Sequence, residues 1–528
     1  MRRPACFAFA LVAALALCAQ PRAAAQAAAP SDLRATHAYQ AAVAAGPLAL
    51  RGFLAGFPKG ADLHVHLSGA IYAESFIRAA AEDKLCIDPE ALKFARTEHH
   101  EPAKEPCAPP LVAASRLAPV LSPADQDLYD KLIDSFSMRS FVPTTGTSGH
   151  DQFFATFARF SGLDKKHIGE WVDEVASRSA AQNQQYLELM ETPPFGHAAT
   201  IAHEIGWNPD LPRFRDALLA HGLRDEVFAD SEDVRAAELQ RRQIEHCDSP
   251  DPAPACRVEV RFIYQILREA PPEQVFAQTL LGFETIQASM DAHAGGYVGI
   301  NFVQPEDGFL SMHDYTLQMK MVEYLHSVYP KVHITLHAGE LAPGMSPPEG
   351  LRFHIRQAVE LGHAERIGHG VDVMYEDDAP ALLKELAAKH VMIEVNLSSN
   401  EGILEIKGVN HPFQVYRAAH VPVALSTDDE GVSRIDITKE YVRAALDYHL
   451  TYADLKQLAR TGMEHDFLPG DSLWAERDVF TAPNAACKGQ TLGGENPAAA
   501  CKAFLGSNEK AAAQWELERR FKEFDAKQ

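Results

Sequence analysis

The chain has 528 residues, 46% of them hydrophobic and 23% charged, and a formal net charge of −23. That length and apolar content are ample for a large buried core and exclude wholesale disorder. The acidic surplus repels phosphate backbones, which excludes nucleic acid as the expected partner and suits a protein handling small neutral molecules.

At the N-terminus, Arg2 and Arg3 precede an apolar run from Ala5 to Ala19, and Ala23, Ala24 and Ala25 offer small residues for cleavage before Gln26. This is the pattern of a secretory signal peptide, shorter than the ~20 residues a membrane-spanning helix needs. Removing residues 1–25 takes away Arg2, Arg3 and Arg22 and no acid, leaving 46 Lys and Arg against 72 Asp and Glu, a net −26. No later segment is long and apolar enough to span a bilayer. The expectation is a secreted or periplasmic chain without a membrane partner. Cys6 and Cys18 leave with the signal, and Cys86, Cys107, Cys247, Cys256, Cys487 and Cys501 remain. An even set in an exported chain reads as disulfides. No CxxC spacing occurs, several connectivities are open, and the simplest pairs neighbours: Cys86–Cys107, Cys247–Cys256 and Cys487–Cys501.

Eight short, apolar, β-rich runs follow, at 61–66, 186–190, 258–264, 297–303, 332–337, 366–371, 391–397 and 421–427. Amphipathic stretches such as 312–329 and 379–390 lie between them. Strands alternating with helices give a parallel sheet with crossovers, and eight units fit a closed barrel. The fold class is therefore α/β, a (β/α)8 TIM barrel. About 120 residues separate the first two strands, too many for one crossover, so a large helical insertion over 75–180 is expected there. Apolar periodicity appears at 126–141 and 150–160, and the polar, Pro-rich stretch 97–110 reads as a loop. The boundaries are signal peptide 1–25, barrel 26–470 and a C-terminal extension 471–528, loop-like to about 500 and then helical.

The chemistry-bearing residues fall at the ends of these runs. His64 and His66 lie two apart in the first strand, and period two puts both on one face. Such a pair can begin a zinc site, although HxH alone is a weak signal. His337 ends the fifth run and is followed by Ala338, Gly339 and Glu340. His369 sits in RIGHG, where a lone strand histidine is more often structural. Asp428 and Asp429 follow the eighth run, where adjacent carboxylates either cap the next helix or bind a cation or donors. Taken together, these residues come from strands one, five, six and eight, and barrel sites assemble at the C-terminal strand ends. Three imidazoles and a carboxylate suit Zn²⁺.

The motifs KGADLHVHLSGA, HAGE, RIGHG and STDD, in that order over residues 59–450, resemble those of the adenosine deaminase family. Ser399–Asn400 and His411–Pro412 are smaller echoes. The signal and the lead-in GFPKGADLH look like the secreted, growth-factor-like branch. The resemblance implies one Zn²⁺ per chain held by His64, His66, His337 and Asp428. Glu340 matches the acid that protonates purine N1. His369 matches the residue that orients the attacking water, and Asp429 the carboxyl that holds N7. The implied reaction is hydrolytic deamination of adenosine and 2′-deoxyadenosine to inosine-type products and ammonia. The alternative is deamination of another 6-aminopurine, such as adenine, a modified nucleoside or AMP.

Two positions depart from the family pattern. Ser68 stands where an acidic residue usually contacts the ribose 5′-hydroxyl. Gln304, in NFVQPED, stands where a glycine in a DLAGDE-like run approaches N3; its backbone N–H and its side-chain amide still offer a donor there. Both touch the grip on substrate rather than the metal. The expected partner is a small purine nucleoside, and the sequence leaves the oligomeric state open.

Overall fold

The computed structural model describes residues 30–291 and 296–528. The signal-peptide reading at 1–25 lies outside them.

Eight parallel strands carry the fold: β1 (Gly60–His66), β2 (Gln184–Glu191), β3 (Glu259–Leu267), β4 (Tyr297–Val303), β5 (His333–Ala338), β6 (Arg366–His369), β7 (Met392–Val395) and β8 (Val423–Leu425). Each pairs with the next in chain order. The sheet closes where β1 meets the chain beyond β8. Val65 bridges Asp428 in parallel, His66 N–H donates to the Asp428 carbonyl at 3.1 Å, and Asp428 N–H donates to the His64 carbonyl at 2.9 Å. This is a (β/α)8 barrel, with all eight strands where the apolar runs placed them. The strands are buried almost throughout, as parallel strands covered on both faces must be, which is why they read as near-continuous apolar runs.

Two ionisable side chains inside the barrel are held by buried partners. The fully buried Arg366 guanidinium reaches Glu188 of β2 and, at 2.6 Å, Glu394 of β7. Asp62 accepts from Thr427 Oγ1 at 2.8 Å and ties β1 to the turn after β8.

The insertion between β1 and β2 contains helices Ala73–Glu82, Gln126–Ser135, Gly149–Phe160 and Ile168–Ala181. It also contains a small antiparallel sheet of Cys86–Asp88, Lys93–Phe94 and Val112–Ala113, which the sequence did not signal. Helix Gly149–Phe160 begins with a capping box in which Ser148 and Asp151 satisfy each other's backbone N–H groups. It packs so closely on helix Leu397–Leu404 that a Cβ at Gly149 would meet the Gly402 carbonyl at 2.0 Å. His150 Nε2 lies 3.0 Å from Asp307 Oδ1, in the loop after β4.

Two helices, Pro30–Ala45 and Pro47–Ala55, precede β1, and the last helix, Glu509–Lys527, adds Leu517, Phe521 and Phe524 to the main core. The disulfides are Cys86–Cys107, Cys247–Cys256 and Cys487–Cys501, the neighbour pairing. Among the described residues no helix is long and apolar enough to cross a membrane.

Candidate metal centre and active site

His64 and His66 point to the barrel interior from the end of β1, His337 joins them from β5, and Asp428 lies three residues beyond β8. His369 and Asp428 hold φ of 69° and 61°. That left-handed region costs a non-glycine residue of order 1–3 kcal/mol, a strain typical of side chains aimed into a functional site.

The ring nitrogens divide into two sets. His66 Nε2 lies 3.2 Å from His337 Nε2, and Asp428 Oδ1 lies 3.4 Å from His64 Nε2 and 3.3 Å from His66 Nε2. The Nδ1 atoms face outward to separate partners. His64 Nδ1 lies 2.6 Å from Glu394 Oε2, His337 Nδ1–H donates to Asn301 Oδ1 at 2.7 Å, and the Gln265 amide sits 2.7 Å from His66 Nδ1. The Glu394 and Asn301 oxygens take the Nδ1 protons of His64 and His337 and free their inner nitrogens for a metal, while the Gln265 amide fixes the His66 ring.

Four inner donor atoms lie within 4.8 Å of one another. His64 Nε2 and Asp428 Oδ1 are buried without a hydrogen-bond partner. Buried polar atoms left without a partner call for one, and the separations are those spanned by an ion about 2.0–2.1 Å from each nitrogen and oxygen. Burial and the neighbouring His64 and His66 hold His337 well below its ordinary pKa, so it presents a lone pair rather than a proton. Three nitrogens and one oxygen make a set that fits Zn²⁺.

Glu340 follows Gly339, whose φ of 77° makes the tight turn after β5. The buried Glu306 carboxylate accepts the N–H groups of Gly339 at 2.9 Å and Glu340 at 2.7 Å. Burial, reinforced by Asp428 and Glu306, pushes the Glu340 carboxyl well above the usual range and favours its protonated form. Its Oε1 lies 3.5 Å from His369 Nδ1. Burial also lowers His369 to about 3, so its ring is neutral. Asp429 is raised by burial and by Asp428, and its Oδ1 is buried without a partner. Gly69 makes room for it, because a Cβ there would lie 1.4 Å from Asp429 Oδ1.

These groups form one end of a cavity of about 430 Å³. Phe153, Phe154 and Phe157, from helix Gly149–Phe160, supply an apolar wall, and Ser68, Thr192, Gln265 and Gln304 supply polar edges. No lysine or arginine is among the described residues that line it. Gln304 holds φ of 86°, a backbone conformation that glycine adopts freely, so the position keeps the glycine-like turn with a side chain added. Its Oε1 accepts Glu269 N–H at 2.8 Å. Every site residue expected from the sequence thus borders this cavity or its floor.

The sequence model of the adenosine deaminase family matches residues 248–478, a stretch containing His337, Glu340, His369, Asp428 and Asp429. Over that stretch the chain is similar to the adenosine deaminase family. Among its relatives, the adenosine deaminase of Clostridium perfringens strain 13 is 29% identical over 190 residues, 35% of this chain and 51% of that protein. That of strain ATCC 13124 is 34% identical over 138 residues, 25% of this chain and 37% of that protein. The chain thus spans about half, or less, of the length of these relatives. Solved structures of similar shape include an adenine deaminase from Arthrobacter aurescens (TM-score 0.49, 16% identity, 78% of this chain and 94% of that one). The N6-mAMP deaminase of Arabidopsis has a TM-score of 0.48 at 19% identity, covering 79% and 96%.

The motif residues of the family were legible in the sequence, but their supports were not. Glu394, Asn301 and Gln265 orient the three histidines. Their one signal is a polar residue inside an apolar strand, which has to find a partner. The phenylalanine wall was visible as a periodic apolar segment, without any sign of which cavity it faces.

Proposed function

We propose that this chain is a zinc-dependent deaminase of adenosine and 2′-deoxyadenosine. The observation that carries the reading is the set of four inward donor atoms, two of them without a partner, at one end of a cavity that also holds two carboxyls raised by burial, Glu340 and Asp429. His64, His66, His337 and Asp428 would hold the ion. Zinc bound there supplies a Lewis acid that lowers the pKa of a water from 15.7 to about 7.

The chain's own residues do the rest. Water adds to purine C6, and charge builds on the ring unless N1 gains a proton. Glu340, protonated by its burial, donates that proton. Asp429, also protonated, donates a hydrogen bond to N7 and sets the ring's orientation. His369 and Asp428 hold the attacking water at C6. The phenylalanine wall excludes bulk water. Of the water's two protons, one goes to the 6-amino group, which leaves as ammonia, and one restores the Glu340 carboxyl, so that the 6-oxo purine remains.

A phosphate would find no lysine or arginine among the described residues that line the cavity, which favours nucleosides over AMP. Ser68, exposed at the edge, is a neutral partner for a ribose hydroxyl. Export as a secreted or periplasmic protein is part of the proposal, and three disulfides support it. The test is ammonia release from adenosine, 2′-deoxyadenosine, 5′-deoxyadenosine, adenine and AMP, with zinc analysis of the same preparation. Adenosine and 2′-deoxyadenosine should react with about one zinc bound per chain. Reaction with adenine or AMP alone would replace this reading by the other 6-aminopurine.

A further inference from the structure

Two motifs noted in the sequence, Ser399–Asn400 and His411–Pro412, have no part in the reaction described above. In the structure they meet beside His369. Phe413 N–H donates to His411 Nδ1 at 3.1 Å. His411 Nε2 lies 3.1 Å from Asn400 Oδ1, and Asn400 Nδ2 lies 2.8 Å from His369 Nδ1. All three side chains are buried.

The direction of this chain follows from its first member. A backbone N–H can only donate, so His411 Nδ1 accepts. A neutral imidazole with Nδ1 accepting carries its proton on Nε2, so His411 donates to the Asn400 oxygen. The Asn400 nitrogen must then face His369 and donate to Nδ1. That leaves the His369 proton on Nε2, the nitrogen 3.9 Å from Asp428 Oδ2. The Asn396 amide sits 3.4 Å from both nitrogens of His369 and so favours neither.

We propose that Asn400 and His411 are positioning residues that lock His369 in the Nε2–H tautomer, so that its donor N–H faces the reacting water. The catalytic part of this inference rests on the deaminase reading; the tautomer stands on the hydrogen-bond chain alone. Asn400→Asp tests both. A carboxylate accepts from both neighbours, which draws the His369 proton to Nδ1 and turns Nε2 into an acceptor.

The first measurement is the side-chain ¹⁵N spectrum of the metal-free protein, with His369 assigned by its loss in His369→Gln. The wild type should show an unprotonated Nδ1 and a protonated Nε2, and Asn400→Asp should reverse them. The second is steady-state kinetics at matched zinc content. Asn400→Asp should lower kcat at least about 100-fold with KM within a few-fold of wild type. His411→Gln, which still offers an N–H to Asn400, should retain most of kcat, whereas His411→Leu should not.

A wild-type His369 protonated on Nδ1 overturns the proposal, and so does Asn400→Asp turning over within about threefold of wild type. If Asn400→Asp does not fold, the wild-type spectrum and the His411 pair still decide. A wild type that deaminates no purine defeats the proposed function and leaves the tautomer to be judged by the spectrum.

Discussion

Glu340 is held by its backbone as well as by its surroundings. Glu306 fixes the two N–H groups at its turn, and burial favours the protonated carboxyl. Glu340→Gln keeps the shape and cannot deliver a proton to N1. It should cost about 10²–10⁴-fold in kcat while zinc stays bound, read by turnover and metal analysis on one sample. Near-wild-type turnover would remove Glu340 from the acid role. Gly69 offers a complementary test at the other edge of the ring. Alanine there would place a Cβ where Asp429 Oδ1 lies, so the carboxyl must turn away from the cavity. Gly69→Ala should raise KM and lower kcat with zinc content unchanged. A variant with unaltered kinetics would mean that Asp429 does not hold the purine.

Helix Gly149–Phe160 brings the apolar wall to the cavity, and its seat is tight. The missing side chain at Gly149 allows contact with the Gly402 carbonyl, and His150 ties the same end to Asp307. Gly149→Ala should lift that end of the helix, cost about 1–3 kcal/mol of stability by overpacking, and raise KM more than it lowers kcat. Thermal melting and steady-state kinetics read the two effects separately, and an unchanged KM would show that the wall does not meet the substrate. Elements of this length differ in how plainly the sequence announces them. The eight barrel strands were legible because both faces are buried, so even β8, three residues long, sits in a recognisable apolar run. The two- and three-residue strands of the insertion were not, because so few residues show no period. The helices from Pro30 were hidden for another reason, since they follow an alanine-rich stretch of sequence at 23–29. In the site, motif spacing gave the inner donors, whereas Asn301 and Gln265 sit in strands where only the folded geometry says which ring they meet.

At the scale of the whole molecule, the ion and the barrel should stabilise each other. A group that binds only the folded state adds to its stability by mass action. Chelation should therefore lower the melting temperature as well as abolish deamination, and restored zinc should recover both. His337→Ala leaves three of the four donors, so zinc occupancy and activity should fall together. Full occupancy in that variant would refute the ligand assignment.

The junction that closes the barrel is also the place where the proposed ligands meet. His64 and His66 belong to the first strand, and Asp428 belongs to the segment that bridges it from beyond the last. A nascent chain that has not yet produced residue 428 carries three histidines but neither the fourth donor nor the backbone bonds that hold them in register. Metal capture would then be an inspection performed on the finished product. A chain truncated, misregistered or cleaved at this seam would be recovered without the ion.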